Sequence, residues 1–259
     1  MSPEAIFVRR GDGWQATELG RGPWDPQALH GGAPAALLVH AFEAFEPQEG
    51  VGLARITYEF VRPVPLARLH VEVQALRPGR RVRLLEGTIR DGEGTLVTRA
   101  RALQMRLSEL GTVDDRPPPF SGPDAAAASD FGDAGGPMFA THAMDIRFVQ
   151  GGFRQLGPAT AWFRLRHPVV ADQTPSPFER AAAAGDFGNG ISTVLSWEEH
   201  LFINPDLTLY LEREPRGEWV ALQSETRVHP GASAVSESVL WDEAGRIGRA
   251  TQALLVSRR

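Results

Sequence analysis

The chain carries two copies of one pattern of turn residues, and this repeat restricts its fold more than any other feature of its 259 residues. The matching turns recur in the same order, 151 or 152 positions apart: Pro63 and Pro215, Pro78-Gly79 and Pro230-Gly231, Asp91 and Asp242, Gly94 and Gly245. Hairpin turns favour Pro, Gly and Asp in any protein. The shared order and spacing nevertheless favour an internal duplication.

Each copy predicts one helix followed by antiparallel strands. In the first copy, apolar spacings of three and four predict a helix over 32–45, with Pro34 in its first turn. Strands are predicted at 5–9, 13–17, 54–61, 69–76, 81–90 and 95–106. In the second copy, Ser176-Pro177-Phe178-Glu179 has the pattern of a capping box, and the helical pattern is lost at Gly185, Gly188 and Gly190. Strands are predicted there at 144–149, 160–166, 193–197, 207–213, 219–228, 234–241 and 247–256.

These elements predict an α+β fold of two tandem repeats. In each repeat a curved antiparallel sheet packs around its own helix, and the two sheets join either edge to edge or back to back. The segment 108–137 is rich in Pro, Gly, Ala and Asp and is interpreted as a linker. The predicted domains are therefore 1–107 and 138–259.

Two absences in the composition remove whole classes of chemistry. The chain has no cysteine, and all 27 of its basic residues are arginine. A thiolate nucleophile, a Cys-ligated metal and a Schiff-base lysine are thereby excluded. The seven histidines show no metal-ligand spacing, so neither a metal nor another cofactor is expected. The net charge of −5 argues against a nucleic-acid partner. No leader or membrane span is predicted, which favours a cytoplasmic protein.

One candidate site lies where the first helix begins. His30 precedes Gly31 and Gly32 in the sequence HGGAPAALL. Backbone N–H groups at a glycine-rich helix start suit a carbonyl oxygen or a developing oxyanion. The alternative is that the glycines only allow close packing of the helix on the sheet.

Differences between the two copies supply further candidates. An offset of 152 places Asp206 opposite Ala54, so a carboxylate is not needed there for structure; Asp206 could also simply cap a turn. The same offset places Thr226 opposite Gln74. Gln252 interrupts an apolar strand, where a buried amide needs hydrogen-bond partners. Gln104 has a similar setting, but equating it with Gln252 requires a gap.

The order of these segments resembles acyl-CoA thioesterases of the double hotdog type, above all the TesB-like branch. The resemblance is carried by HGGAPAALL, SPFERAAAAGDFGNG and the stretch from Asn204 to Val256. It implies a double hotdog fold, an acyl-CoA substrate and a water activated by Asp206, Thr226 and Gln252. Arg227 competes with Thr226 for the family's Thr position, since a one-residue gap is needed. Gly31 and Gly32 would supply oxyanion N–H groups from the opposite half.

Two other functions stay open at this point. A double hotdog could bind acyl-CoA without catalysis or serve as a scaffold, because a fold does not fix an activity. A hotdog dehydratase or hydratase would need an Asp–His pair, and no histidine follows Asp206 closely. A homo-oligomer is possible.

Overall fold

The computed structural model describes residues 4–108, 116–129, 131, 135–231 and 233–259. The helices are α1 (Gly32–Ala44), α2 (Pro177–Gly185) and α3 (Gly188–Ser192). The first repeat contains the strands β1 (Phe7–Arg10), β2 (Gly13–Ala16), β3 (Val51–Phe60), β4 (Arg68–Arg77), β5 (Val82–Asp91) and β6 (Leu96–Arg106). The remaining strands are β7 (Ala127–Ala128), β8 (Met144–Gln150), β9 (Ala159–Leu165), β10 (His200–Ile203), β11 (Asp206–Leu211), β12 (Val220–Val228), β13 (Ala234–Asp242) and β14 (Gly245–Arg258).

All fourteen strands belong to one antiparallel sheet whose two halves mirror each other. The order is β1-β2-β4-β5-β6-β3-β11-β14-β13-β12-β9-β8-β7, and β10 pairs with β14 beside this path. The halves meet where β3 pairs with β11, and Thr57 lies opposite Thr208 at this seam. The repeats therefore join edge to edge. The predicted double hotdog architecture is confirmed, with the helices packed against one face of the sheet.

The helices α1 and α2 lie antiparallel, because the start of each one meets the end of the other. Gly31 and Gly32 approach the end of α2, while Glu43 near the end of α1 contacts Ser176 before α2. Only glycine fits at position 32, since a Cβ there would lie 2.5 Å from the Ala183 carbonyl oxygen. The glycine pair thus allows the two helices to pack at close range.

The second helical region differs from the prediction. The capping box is present, with Glu179 N–H donating to Ser176 Oγ and Ser176 N–H donating to the Glu179 carboxylate. A second short helix, α3, begins three residues after Gly185, at Gly188. The predicted strand 193–197 is wrong. These residues form turns and bends, and the strand there is β10, which pairs with the last residues of β14.

The register of the repeats also corrects the sequence comparison. Register shifts occur at Ile89/Arg90 in β5 and at Leu240/Trp241 in β13, which are 151 positions apart. Buried and exposed residues alternate along strands, so an offset of 152 would place residues on the wrong face. Asp206 therefore corresponds to Arg55 rather than Ala54. Thr226, which is buried, corresponds to Ala75 rather than the exposed Gln74.

The described part of the predicted linker lies along the outside of the second repeat. Phe120 packs edge-on against Trp162 and Trp241, and the Trp162 indole donates to the Ser121 carbonyl oxygen at 2.9 Å. The strand β7 extends the sheet by pairing with β8. The rest of this segment, 109–115, 130 and 132–134, falls outside the described residues.

Candidate functional site

A buried aspartate lies at the junction between the start of α1 and the end of α2. Asp186 is the C-terminal cap of α2, and a Cβ at Gly31 would approach its Oδ2 to 2.7 Å. A carboxylate is disfavoured at the negative end of its own helix, but here it also faces the positive end of α1. The packing of the two repeats thus places one acidic group between opposite helix termini.

Three side chains fix the orientation of the Asp186 carboxylate. Asn204 donates from Nδ2 to Oδ1 at 2.7 Å, and Gln252 donates from Nε2 to the same oxygen at 3.0 Å. The Nδ1 atom of His30 lies 3.1 Å from Oδ2. The ring of His30 is itself held between Phe139 and Phe187, with centroid distances of 4.9 Å and 4.4 Å. Gln252 and His30, both predicted site residues, therefore meet at Asp186, a residue that the sequence analysis did not single out.

Burial changes the protonation of both partners. It raises the pKa of Asp186 to about 7, although hydrogen bonds from Asn204, the Gly32 backbone and Gln252 act in the opposite direction. Burial lowers the pKa of His30 to about 3, so the imidazole is neutral at physiological pH. A general base is most effective when its pKa lies near the working pH. Asp186 meets that condition.

The junction opens into a cavity of about 710 Å³. His30, Gly31 and Asp186 lie on its wall. Seven aromatic side chains make the lining largely apolar: Trp24, Phe60, Phe131, Phe153, Phe187, Trp197 and Phe202. Two arginines, Arg62 and Arg154, are also part of the wall. An apolar cavity with a few convergent polar groups is typical of a small-molecule site.

Of the other predicted site residues, Thr226 is buried on the side of the sheet that faces α3, and Arg227 is exposed to solvent. Thr226 is 3% exposed, and its Oγ1 is 2.8 Å from Ser192 Oγ in α3, which in turn donates to the Gly188 carbonyl oxygen. It therefore supports the helical turn that follows Asp186. Arg227 is exposed and ion-paired with Glu225 and Glu237.

Asp206 does not join the residues with which it was grouped. It begins β11, and its Oδ1 accepts a hydrogen bond from the Ala253 N–H at 2.7 Å. Strand alternation separates this position from the inward-facing Gln252. The structure therefore groups Gln252, His30 and the glycine pair around Asp186, whereas Asp206 bonds the neighbouring strand.

At the symmetry-related helix junction, side chains contact one another across the start of α2. There Ser176 Oγ donates to Glu43 at 2.7 Å while accepting from the Glu179 N–H, and His40 Nδ1 lies 2.9 Å from Glu179. These side chains occupy the start of α2. Gln252 also lacks a counterpart, because it lies opposite Ser236, whereas the matching pair in the first repeat is Leu85 with Ala102. The two junctions therefore differ in the side chains that occupy them.

The fold and the fused pair of repeats define a double hotdog protein. The family model of the acyl-CoA thioesterase C-terminal domain matches residues 114–256, and that of the N-terminal domain matches residues 20–105. The chain belongs to this acyl-CoA thioesterase family. No protein with curated annotation matches it by sequence.

Solved structures share this fold over nearly their full length. A hot dog fold protein of unknown function from Alicyclobacillus acidocaldarius has a TM-score of 0.74 at 15% identity, covering 99% of this chain and 97% of that one. The acyl-CoA thioesterase II TesB2 from Mycobacterium marinum has a TM-score of 0.65 at 15% identity, covering 96% and 94%. A tesB protein from Mycobacterium avium has a TM-score of 0.68 at 14% identity, covering 97% and 95%. Identities this low show the shared fold alone.

Within the described ranges of the chain, no three His, Asp or Glu residues are grouped as metal ligands would be. The same ranges contain no helix that is both long and apolar enough to cross a bilayer.

Proposed function

We propose that this protein hydrolyses acyl-CoA thioesters at the α1–α2 junction, with Asp186 as the general base. The observation that carries the proposal is the buried Asp186 carboxylate, held on the cavity wall by Asn204 and Gln252. Asp186 would accept a proton from water as the water oxygen attacks the thioester carbonyl carbon. It would then return that proton to the departing CoA sulfur.

A backbone donor at the start of α1, the Gly31 N–H, completes the proposed chemistry. The Gly32 N–H, also predicted as an oxyanion donor, already donates to His30 Nδ1 at 3.1 Å. Within the described part of the chain, no hydrogen bond uses the Gly31 N–H, and Gly31 lies on the cavity wall. A carbonyl oxygen placed there would gain stabilisation as negative charge develops on it, aided by the positive helix end. The apolar lining would receive the acyl group. Arg62 and Arg154 are our candidates for contact with CoA phosphates.

The test is release of CoA thiol from a series of acyl-CoAs, from acetyl to palmitoyl and including benzoyl-CoA. The chain has no cysteine, so a thiol reagent detects only released CoA. We expect Asp186→Asn to lower kcat roughly 10²- to 10⁴-fold. Asp206→Asn is the matched control and should retain activity, because among the described residues Asp206 bonds only a strand N–H. Full activity of Asp186→Asn would refute the mechanism, and binding without release by the wild type would favour the acyl-CoA-binding function.

One observation favours a second candidate, the hydration of enoyl thioesters or the reverse dehydration. The Asp–His pair that such chemistry needs is present as Asp186 and His30. It was missed in the sequence because its members come from different repeats. Incubation with an enoyl-CoA, followed by separation of products, distinguishes a hydroxyacyl-CoA from free acid and CoA. A hydroxyacyl product with no CoA release would support this candidate instead.

A further inference from the structure

We infer that Asn189 is a water-positioning residue that accepts the second hydrogen bond of the hydrolytic water, the first being accepted by Asp186. The inference rests on the proposed function and adds a residue to it. Asn189 lies in α3, three positions after Asp186, and both line the cavity. Residues three apart in a helical turn project from the same side. Asp186 and Phe187 have helical backbone angles, so this spacing applies here.

Within the described residues, the Oδ1 atom of Asn189 makes no hydrogen bond that would support the fold. Asn189 is 8% exposed, and its Oδ1 is buried without a hydrogen-bond partner among the described residues. Buried polar atoms are nearly always bonded, so an exception on the wall of a catalytic cavity indicates a ligand. Removing an acceptor that has no partner costs the fold no hydrogen bond. An asparagine at this position therefore points to a functional role.

Ser236 Oγ, opposite Gln252, also has no partner among the described residues, but Asn189 lies on the cavity wall and Ser236 does not. The other polar side chains around Asp186 are engaged. Gln252 Oε1 accepts from the Asn189 N–H at 3.3 Å, and Gln252 Nε2 donates to Asp186. Thr226 and Ser192 are bonded to each other. Asn204 donates its amide to Asp186 Oδ1. Among the buried atoms of the cavity-lining side chains, the Asn189 Oδ1 is the acceptor that has no partner within the described residues.

A second acceptor has a defined chemical effect. One O–H bond of the water breaks as Asp186 takes the proton, while the oxygen forms a bond to the thioester carbon. The other O–H stays intact and becomes the hydroxyl of the product acid. When the C–S bond breaks, the proton on Asp186 passes to the sulfur, giving carboxylic acid and CoA thiol. Holding the intact O–H at Asn189 would direct the water lone pair at the carbonyl carbon.

Methanol provides a probe that a merely structural role would not affect. Methanol has a single O–H, so it needs the Asp186 acceptor but not the Asn189 acceptor. We would measure methyl ester and free acid formed from one acyl-CoA at a fixed methanol concentration. In Asn189→Leu, the ratio of ester to acid should rise about two- to tenfold, the value of one hydrogen bond. Asn189→Leu should also melt at or above the wild-type temperature.

Two further variants serve as controls. Asn189→Asp keeps an acceptor of the same shape, so its product ratio should stay near the wild-type value, while its pH profile moves to higher pH because the added charge opposes ionisation of Asp186. Gln104→Leu removes another buried amide oxygen that has no partner among the described residues, but Gln104 lies away from the cavity wall and its replacement should leave the ratio unchanged. An unchanged ratio in Asn189→Leu would overturn the inference, whatever its overall rate.

The proposed function and this inference fail in different ways. Loss of both ester and acid formation in Asp186→Asn supports the general base, and retention of both removes it. An unaltered product ratio in Asn189→Leu, combined with an inactive Asp186→Asn, would remove only the role of Asn189.

Discussion

His30 and Asp186 belong to different repeats, yet the Nδ1 atom of one and the Oδ2 atom of the other are 3.1 Å apart. Phe139 and Phe187, which enclose the His30 ring, come from the second repeat as well. The site therefore exists only where the two repeats are packed together.

The first prediction concerns pH. Because burial raises the pKa of Asp186 to about 7 and the base must be ionised, kcat/KM should rise with pH through about 7 and then level off. The neutral His30, whose pKa burial lowers to about 3, should add no limb between pH 5 and 9. Initial rates of thiol release across this range test the prediction. A profile that is flat from pH 5 to 9 would contradict it.

The second prediction concerns Gln252. Gln252→Leu removes a donor to Asp186 Oδ1 and the acceptor of the Asn189 N–H. We expect kcat to fall roughly 10- to 100-fold, the value of a hydrogen bond to a charged group. The pH limb should also move upward, since loss of a donor disfavours the carboxylate.

Gln104→Leu is the matched control for Gln252. Gln104 is also buried on a sheet strand, but its Nε2 reaches only the Phe42 carbonyl oxygen, at 3.5 Å. This variant should keep wild-type activity and pH dependence. Equal losses in the two variants would show that Gln252 acts through stability alone, which thermal melting would reveal independently.

The third prediction concerns substrate length. Gly190 lies on the cavity wall, and a methyl group there would have no neighbour within 4 Å. Gly190→Leu should therefore narrow the cavity without straining the fold. We expect activity to fall for the longest acyl chains that the wild type accepts while acetyl-CoA turnover stays close to the wild-type value. A uniform loss over all chain lengths would indicate damage to the catalytic groups instead.

The fourth prediction concerns the stability of the fold rather than the site. Asp242 is fully buried and accepts two hydrogen bonds from Arg213, at 2.5 Å and 2.7 Å, as well as backbone N–H bonds from Ala244 and Gly245. Asp242→Asn breaks this buried pair, so the free energy of unfolding should fall by roughly 3–5 kcal/mol in denaturant titrations near neutral pH.

Asp91 opens the equivalent turn of the first repeat and provides the comparison. It accepts the N–H groups of Glu93 and Thr95 in the same way. Asp91→Asn should therefore cost only about 0.5–1.5 kcal/mol. Burial opposes ionisation of Asp242, but hydrogen bonds from Arg213 and Arg216 outweigh it and lower its pKa. The stabilisation by ionised Asp242 is present above the pKa of the unfolded chain and is lost as pH falls through the pKa of the folded state. The stability loss in Asp242→Asn should therefore approach that in Asp91→Asn at acid pH. Equal costs at neutral pH would disprove the special role of Arg213.

The fold could be predicted because its evidence is local and repeated. Turns at Pro78-Gly79 and Pro230-Gly231 connect equivalent strand pairs in the structure. The Ser176 capping box requires only four consecutive residues. What failed was the exact offset, because the repeats differ by one residue in length between the seam pair, Thr57 and Thr208, and the turn prolines, Pro63 and Pro215. An error of one residue in the offset made the exposed Gln74 the apparent counterpart of the buried Thr226.

The central residue of the site could not be found by the same reasoning. Gly185 and Gly188 flank Asp186 and indicated only the end of a helix. One signal was available: an aspartate at a helix C-terminus is electrostatically unfavourable, and its retention there suggests another use. Its partners His30, Asn204 and Gln252 come from three separate segments, and only the packing of the repeats brings them together.

The single seam between β3 and β11 has a consequence for the number of active sites. Two identical subunits joined in this way would carry every substitution twice, so both helix junctions would have to change together. In one continuous chain, Asp186 can persist at one junction while Ser176 and Glu43 close the other. A titration with a tight-binding inhibitor should therefore count one site for each polypeptide, because Ser176 and Glu43 contact each other at the second junction.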